Sequence, residues 1–332
     1  MRLLVSYPFK MKIYKLGILF LSFFLWNCTN TDKLKVNVSN IDAKVAVTRF
    51  EKIFYTAKPS DLPKIKKDFR ILFPNDNDSI WLSKMKDTLE LKLYKETQKV
   101  FGDFTAEKKQ LENLFKHVKY YYPKFKEPKV ITLITNISFD QKVVYQNDTL
   151  YISIDVFLGK DNEFYKEYVD YPKYIIQNFT KTNMLVSAAQ EIARTTQFRE
   201  NNRTFLTKMI QKGKLIYTTQ AFLPNLTNSD LIGYTPEKLE WCTLNEQMIW
   251  TYLLEKKMLY STDSKLDRRF LEDAPFTKFY LDIDNQSPGR IGEWLGWQIV
   301  QEYMKNNKVS LQEMLRIPND EIFKKSKYKP RK

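Results

Sequence analysis

"VITLITNISFDQKVVYQNDTLYISIDVFLG", residues 130–159, decides the fold class. It holds three runs rich in β-branched and aromatic residues: "VITLITNI", "KVVYQ" and "LYISIDVFLG". Such side chains suit a pleated, half-buried surface, so each run reads as a strand. Asn147-Asp148 reads as the turn between the last two, because Asn and Asp tolerate a left-handed backbone. On either side the apolar period changes to three and four. From about 45 to 122, "VAVTRFEKIFYTA", the stretch from Leu62 to Leu72, "SIWLSKMKDTLELKLYKETQKVFG" and "TAEKKQLENLFKHVKYYY" read as helices, and Pro123 and Pro128 end the pattern. Helical spacing returns from about Tyr171 and continues to the end. Helices, a small sheet, then helices predict one α+β body over 45–332, mainly helical, with a helical part at 45–125 and a second part at 126–332.

The residues before this body carry a sorting signal. "MKIYKLGILFLSFFLWNCTNTD" begins at Met11 with two lysines, runs apolar from Leu16 to Trp26 and reaches Cys28. The apolar run is too short for a permanent span and suits a secretory signal peptide over 1–27. A cysteine just after it suits lipoprotein processing, with Cys28 the acylated first residue of the mature chain. Residues 29–44 are polar and aperiodic, so 28–44 reads as a lipidated tether. Loss of Arg2, Lys10, Lys12 and Lys15 with the signal lowers the net charge from +15 to +11. "KKSKYKPRK" at the C-terminus holds six basic residues, which leaves the body near +5. This reads as a solvated tail able to brush anionic headgroups, and no basic helix or aromatic-basic groove points to nucleic acid.

Composition also limits the chemistry. With one His and two Cys, the chain holds few of the nitrogen and sulfur ligands of a zinc site, so neither metal nor cofactor is expected. His117 flanks an apolar stripe and reads as a helix-surface residue. After processing only Cys242 remains, so no internal disulfide can form and an ordinary core must hold the fold.

Three stretches could carry function. In "VSAAQEIARTTQF", 186–198, Leu185, Ala188, Ala189 and Ile192 share one helix face, while Gln190 and Arg194 sit a turn apart on the other with Glu191 at its edge. In "TPEKLEWCTLNEQMIWTYLLEKKMLY" Thr235 caps and Pro236 opens a helix expected to run to about Tyr260. Glu246 falls among its apolar residues, where a carboxylate needs a partner or a route to solvent. In "DNQSPGRIGEWLGWQIVQEYM", Ser287 and Pro288 read as the start of a helix. Gly289, Gly292 and Gly296 are three of the eight glycines in the chain. Glycine within a helix costs about 1 kcal/mol against alanine, so close packing is the expected use, with Arg290 and Glu293 delivered to the same place or to a pocket.

"MIQKGKLIY", "IGYTPEKLEWCTLNEQMIW", "DAPFTKFYLDIDNQSPGRIGEWLGWQIVQEYM" and "SKYKPRK", with the Cys28 lipobox, resemble the gliding-motility lipoprotein GldB family of Bacteroidetes over essentially the whole mature chain. The family is similar in outline to zinc peptidases with an H-E-x-x-H helix. That resemblance implies a degenerate zincin-like (metallopeptidase-like) core, in which Gln190 and Arg194 stand at the histidine positions, Glu191 at the catalytic acid and Glu246 at the third ligand. It implies a lipid-anchored, non-enzymatic envelope protein required for gliding, acting through other envelope or motility-machinery proteins; "TNTDK" after Cys28 holds one acid and is a poor surface-export signal, so the periplasmic side is expected. A metal-independent hydrolase using Glu191 or Glu246, and a binder of anionic envelope polymer or lipid, remain as alternatives. If the peptidase-like arrangement is kept, Arg194 is expected to pair with Glu246 or Glu191.

Overall fold

In the computed structural model, which describes residues 33–198 and 200–331, four strands form one sheet: β1 (Val47–Arg49), β2 (Lys129–Leu133), β3 (Val143–Gln146) and β4 (Thr149–Ser153). Their order is β1-β2-β4-β3, with β1, β2 and β4 parallel and β3 antiparallel at the edge. Asn147 and Asp148 turn β3 into β4 with φ of 50° and 53°, the left-handed pair that a two-residue hairpin requires. The chain is thus mainly helical α+β. Cys28 and the apolar stretch before it lie outside the described residues, as does Lys332.

In chain order, segments at both ends of the sheet depart from the strand and helix expectations. Val47–Arg49 lies in a stretch with helical spacing, yet it pairs with Val130–Thr132 of β2, and the helix starts only at Phe50. The sheet edge offers hydrogen bonds that a three-residue helical start cannot match. β1 also ties the helical first part to the sheet, where buried Glu51 accepts a hydrogen bond from Thr132 Oγ1 at 2.6 Å. At the other end, residues 154–157 form a 3-10 turn instead of continuing the strand. Asp155, fully buried, accepts from the backbone N–H groups of Ile137 at 2.6 Å and Thr135 at 3.1 Å. Burial pushes its carboxyl up to about 6.

Residues from Leu34 onward pack on the body. Leu34, Ala43 and Val45 join the main core, and Lys119 Nζ donates to the carbonyl of Asp42 at 3.0 Å, so the expected tether is anchored over much of its length. His117 is 3 % exposed, with Nδ1 2.8 Å from the carbonyl oxygen of Asn113. It is a buried histidine, not a surface one, because its helix packs on more than the apolar stripe. A second, smaller core forms around Phe54, Leu62, Ile65, Phe73 and Met85.

The centre of the molecule is a crossing of two helices, Phe205–Phe222 and Ile291–Asn306. A Cβ placed on Gly213 would lie 2.3 Å from the carbonyl of Gly296, and one on Gly296 would lie 1.8 Å from the carbonyl oxygen of Met209. The two backbones therefore touch. Gly289 meets Ala274 and Gly292 meets Leu271 and Phe270 in the same manner, so all three glycines of the PGRIG stretch serve packing. The helix starts at Ile291 instead of Ser287, because Arg290 adopts φ 58° and Thr277 Oγ1 holds the Pro288 carbonyl at 2.7 Å. The Thr235-capped helix likewise runs only to Leu244. Asn245 Nδ2 turns back onto the Trp241 carbonyl at 2.8 Å, and a second helix, Glu246–Glu255, follows. No helix among the described residues is long and apolar enough to cross a membrane.

Candidate functional site

The helix Lys181–Thr195 is capped by Thr180, whose side chain accepts from Asn183 N. Ala188, Ala189, Ile192 and Ala193 bury one face, and Ser187, Gln190 and Arg194 line a cleft of about 530 Å³. Opposite them stand Lys212 from the central helix and Arg290 and Glu293 from the PGRIG stretch. Lys142 closes a third side from the loop before β3. Ser153 of β4 fixes that loop: its Oγ donates to the Gln141 carbonyl at 2.8 Å and its N–H to the Lys142 carbonyl at 2.9 Å. Two stretches that the sequence singled out separately thus face one another.

The floor is an ion lattice. Arg290 Nε lies 3.0 Å from Asp273, its Nη1 donates to Glu293 at 3.2 Å, and its Nη2 donates to the Ile232 carbonyl at 2.9 Å. Lys212 Nζ reaches the other oxygen of Glu293 at 2.6 Å. The guanidinium also lies over the Tyr234 ring, whose hydroxyl donates to Gly289 O at 2.5 Å. Fork-like donation to two carboxylates makes Arg290 the hub that lysine could not replace. Close packing of the glycines brings Arg290 and Glu293 to the lining of the cleft.

Lys142 and Arg194 are placed differently. Lys142 Nζ lies 3.6 Å from the centre of the Phe139 ring and has no hydrogen-bond or ion-pair partner among the described residues. Burial pushes its amine below the usual lysine value; Asp273 opposes this, while Arg290 and Arg194 add to it. Arg194 is exposed and, among the described residues, bonds through Nε alone, to Glu191 at 2.9 Å. Glu191 is not among the residues that line the cleft.

Glu246 stands apart from this group. It is 2 % exposed, and Tyr328 Oη donates to it at 2.6 Å, with Arg331 Nε 3.6 Å away. Burial raises its carboxyl, against the lowering effects of Tyr328 and Arg331. The expected Arg194–Glu246 pair is therefore not formed, and Arg194 takes only the Glu191 alternative. The reason is the C-terminal tail. Ser326 is buried and Tyr328 and Pro330 are half-buried, with exposed Lys327 and Lys329 between them, so the tail lies docked over Glu246 instead of wholly solvated.

A zinc ion does not fit the residues present. A guanidinium stays protonated and cannot ligate, and Gln190 offers one weak oxygen where an imidazole would stand. Lys142, Lys212 and Asp273 were not singled out by the sequence: Lys142 lies in a run read only as a strand, and Lys212 and Asp273 lie within stretches quoted only for the resemblance. Lys212 sits inside "MIQKGKLIY" beside Gly213, and that glycine in mid-helix was the one available signal.

The sequence model of the family described as gliding motility protein GldB matches residues 31–330. The chain belongs to this family. As a GldB protein it has a role in gliding motility and is an envelope-associated lipoprotein. No curated protein and no solved structure matches it. The GldB match spans the QEIAR helix, the PGRIG stretch and the docked tail alike.

Proposed function

We propose that this GldB protein is held on the membrane by lipid at Cys28, faces the periplasm and supports gliding by binding other envelope proteins without catalysing a reaction. One observation carries the non-catalytic reading: of the acids lining the cleft, Asp273 and Glu293 are committed, while Asp140 and Glu272 are exposed to water. Asp273 and Glu293 are clamped by Arg290, and Glu293 also by Lys212. A general base needs a carboxylate free to take a proton at the reacting atom. Glu191, at the acid position of an H-E-x-x-H helix, is bound to Arg194 beside the cleft. The order of residues on that helix supports a degenerate peptidase-like core in which donors replace ligands.

Binding is supported by apolar side chains left in water. Leu244 is 75 % and Tyr280 74 % exposed, and Met248 and Leu281 are exposed near them. Tyr252 Oη joins these elements by donating to the Phe279 carbonyl at 2.6 Å. Exposed apolar groups of this kind mark surfaces that another protein covers. The test is complementation of a non-gliding deletion strain. Glu191→Gln is expected to restore gliding, and Cys28→Ser to leave the cells non-gliding with the protein lost from the membrane fraction. Gliding abolished by Glu191→Gln at normal protein level would overturn the non-catalytic reading.

A further inference from the structure

We infer that the cleft between the Lys181–Thr195 helix and the PGRIG stretch is a binding site for a small polar molecule carrying a carboxylate or phosphate group, received by Lys142 and Arg194. The argument starts from what remains unmatched after the ion lattice has formed. Asp273 and Glu293 are neutralised by Arg290 and Lys212. Among the described residues, Lys142 Nζ meets the Phe139 ring alone, and both terminal nitrogens of Arg194 are left over once Nε has met Glu191. Gln190 and Ser187 add an amide and a hydroxyl on the same wall. Asp140 and Glu272, the other acids at the cleft, are exposed to water as Arg194 is, and Asp140 acts on Lys142 as a weak counter-charge that an incoming anion must outweigh.

Lys142 is half-buried and lines the cleft with its ammonium unmatched, so an anion brought beside it gains a charge-assisted contact. The Arg194 guanidinium can grip the same anion with two N–H groups in one plane, the geometry that suits carboxylate and phosphate oxygens. The cleft, at about 530 Å³, takes a ligand the size of a sugar or amino-acid derivative. Its polar walls favour hydroxyl or amide groups on the rest of that molecule. Size and polarity exclude a lipid tail, and the anchoring of Lys142 by Ser153 means that the site is formed before the ligand arrives. The inference concerns the cleft alone and holds whether or not the protein acts through partners.

The test is titration calorimetry and thermal shift on the detergent-solubilised full-length protein with four probes at millimolar concentration: inorganic phosphate, glucose 6-phosphate, galacturonate and uncharged glucose. Glucose 6-phosphate or galacturonate is expected to bind and glucose not to bind. The pair separates phosphate from carboxylate recognition, and inorganic phosphate shows whether the anion alone suffices. Lys142→Met and Arg194→Met, each keeping its apolar stem, are expected to weaken the bound probe roughly 10- to 100-fold, as loss of a charge-assisted hydrogen bond does. Lys324→Met in the tail is expected to leave binding unchanged. The unliganded melting temperature of each variant separates loss of the site from loss of the fold. Absence of binding by every charged probe, or equal binding by parent and both cleft variants, would overturn the assignment.

Discussion

Gly296→Ala adds one methyl group at the place where two backbones meet. The new Cβ would lie 1.8 Å from the Met209 carbonyl oxygen and 2.4 Å from its carbon, so reaching even 3.0 Å needs a shift of more than 1 Å. Neither side can yield by rotating a side chain, because both obstacles are main chain. The helices must separate, loosening contacts around Trp294 and Trp297, both buried. Overpacking costs typically 1–3 kcal/mol, and a backbone-to-backbone clash belongs at the top of that range or above it. Better helix propensity returns about 1 kcal/mol, which leaves a net loss of about 2–3 kcal/mol. For a body of roughly 300 residues the unfolding entropy is about 0.6 kcal/mol per degree, so the melting temperature falls by about 3–5 °C. Calorimetry on the parent, Gly296→Ala, Gly213→Ala and the double variant measures this. The double variant should lose less than the sum of the singles, since helices already parted accept the second methyl more easily. A Gly296→Ala melting temperature within about 1 °C of the parent would refute the reasoning.

Arg290→Met breaks the lattice and should cost about 3 kcal/mol by chemical denaturation. Asp273→Asn should cost under about 1 kcal/mol, because the Asp273 side chain is 45 % exposed. Tyr328→Phe takes the hydroxyl donor from Glu246, whose other oxygen has no hydrogen bond, and should cost about 1–3 kcal/mol. Glu246 is already raised, so protonation relieves the loss: the penalty should be larger at neutral than at acid pH, and Glu246→Gln should recover part of it. Lys214 is buried, donates to the Ile317 carbonyl at 2.6 Å and is lowered by desolvation from 10.5 to about 8. Between those values the unfolded chain holds more protons than the folded one, so this residue makes stability rise with pH. Lys214→Met should remove that rise when the two denaturation profiles are subtracted.

How much was legible follows from the distance over which each feature is decided. The strands at 129–153 are a local matter: alternating branched residues and an Asn-Asp turn lie within one stretch, and β2, β3 and β4 form there. Val47–Arg49 is a strand only because Val130 lies across from Val47, and nothing within three residues announces that partner. Gln190 and Arg194, Arg290 and Glu293 were each conspicuous in their own stretch. That they line one cleft depends on the Gly213–Gly296 contact, a long-range event. Glu246 shows the same limit. Its place among apolar neighbours was visible and left burial or a route to solvent open, but its partner Tyr328 sits in a lysine-rich tail that composition reads as solvated.

The central claim, that this GldB protein supports motility without catalysis, is tested most directly by gliding speed in cells whose only copy carries Glu191→Gln. The carboxylate at the catalytic-acid position would be gone, while helix, cleft and lipid anchor would stay. The account predicts gliding at the parental speed with the variant at parental level in the membrane fraction. Arrested gliding with a folded, membrane-bound Glu191→Gln protein would contradict it.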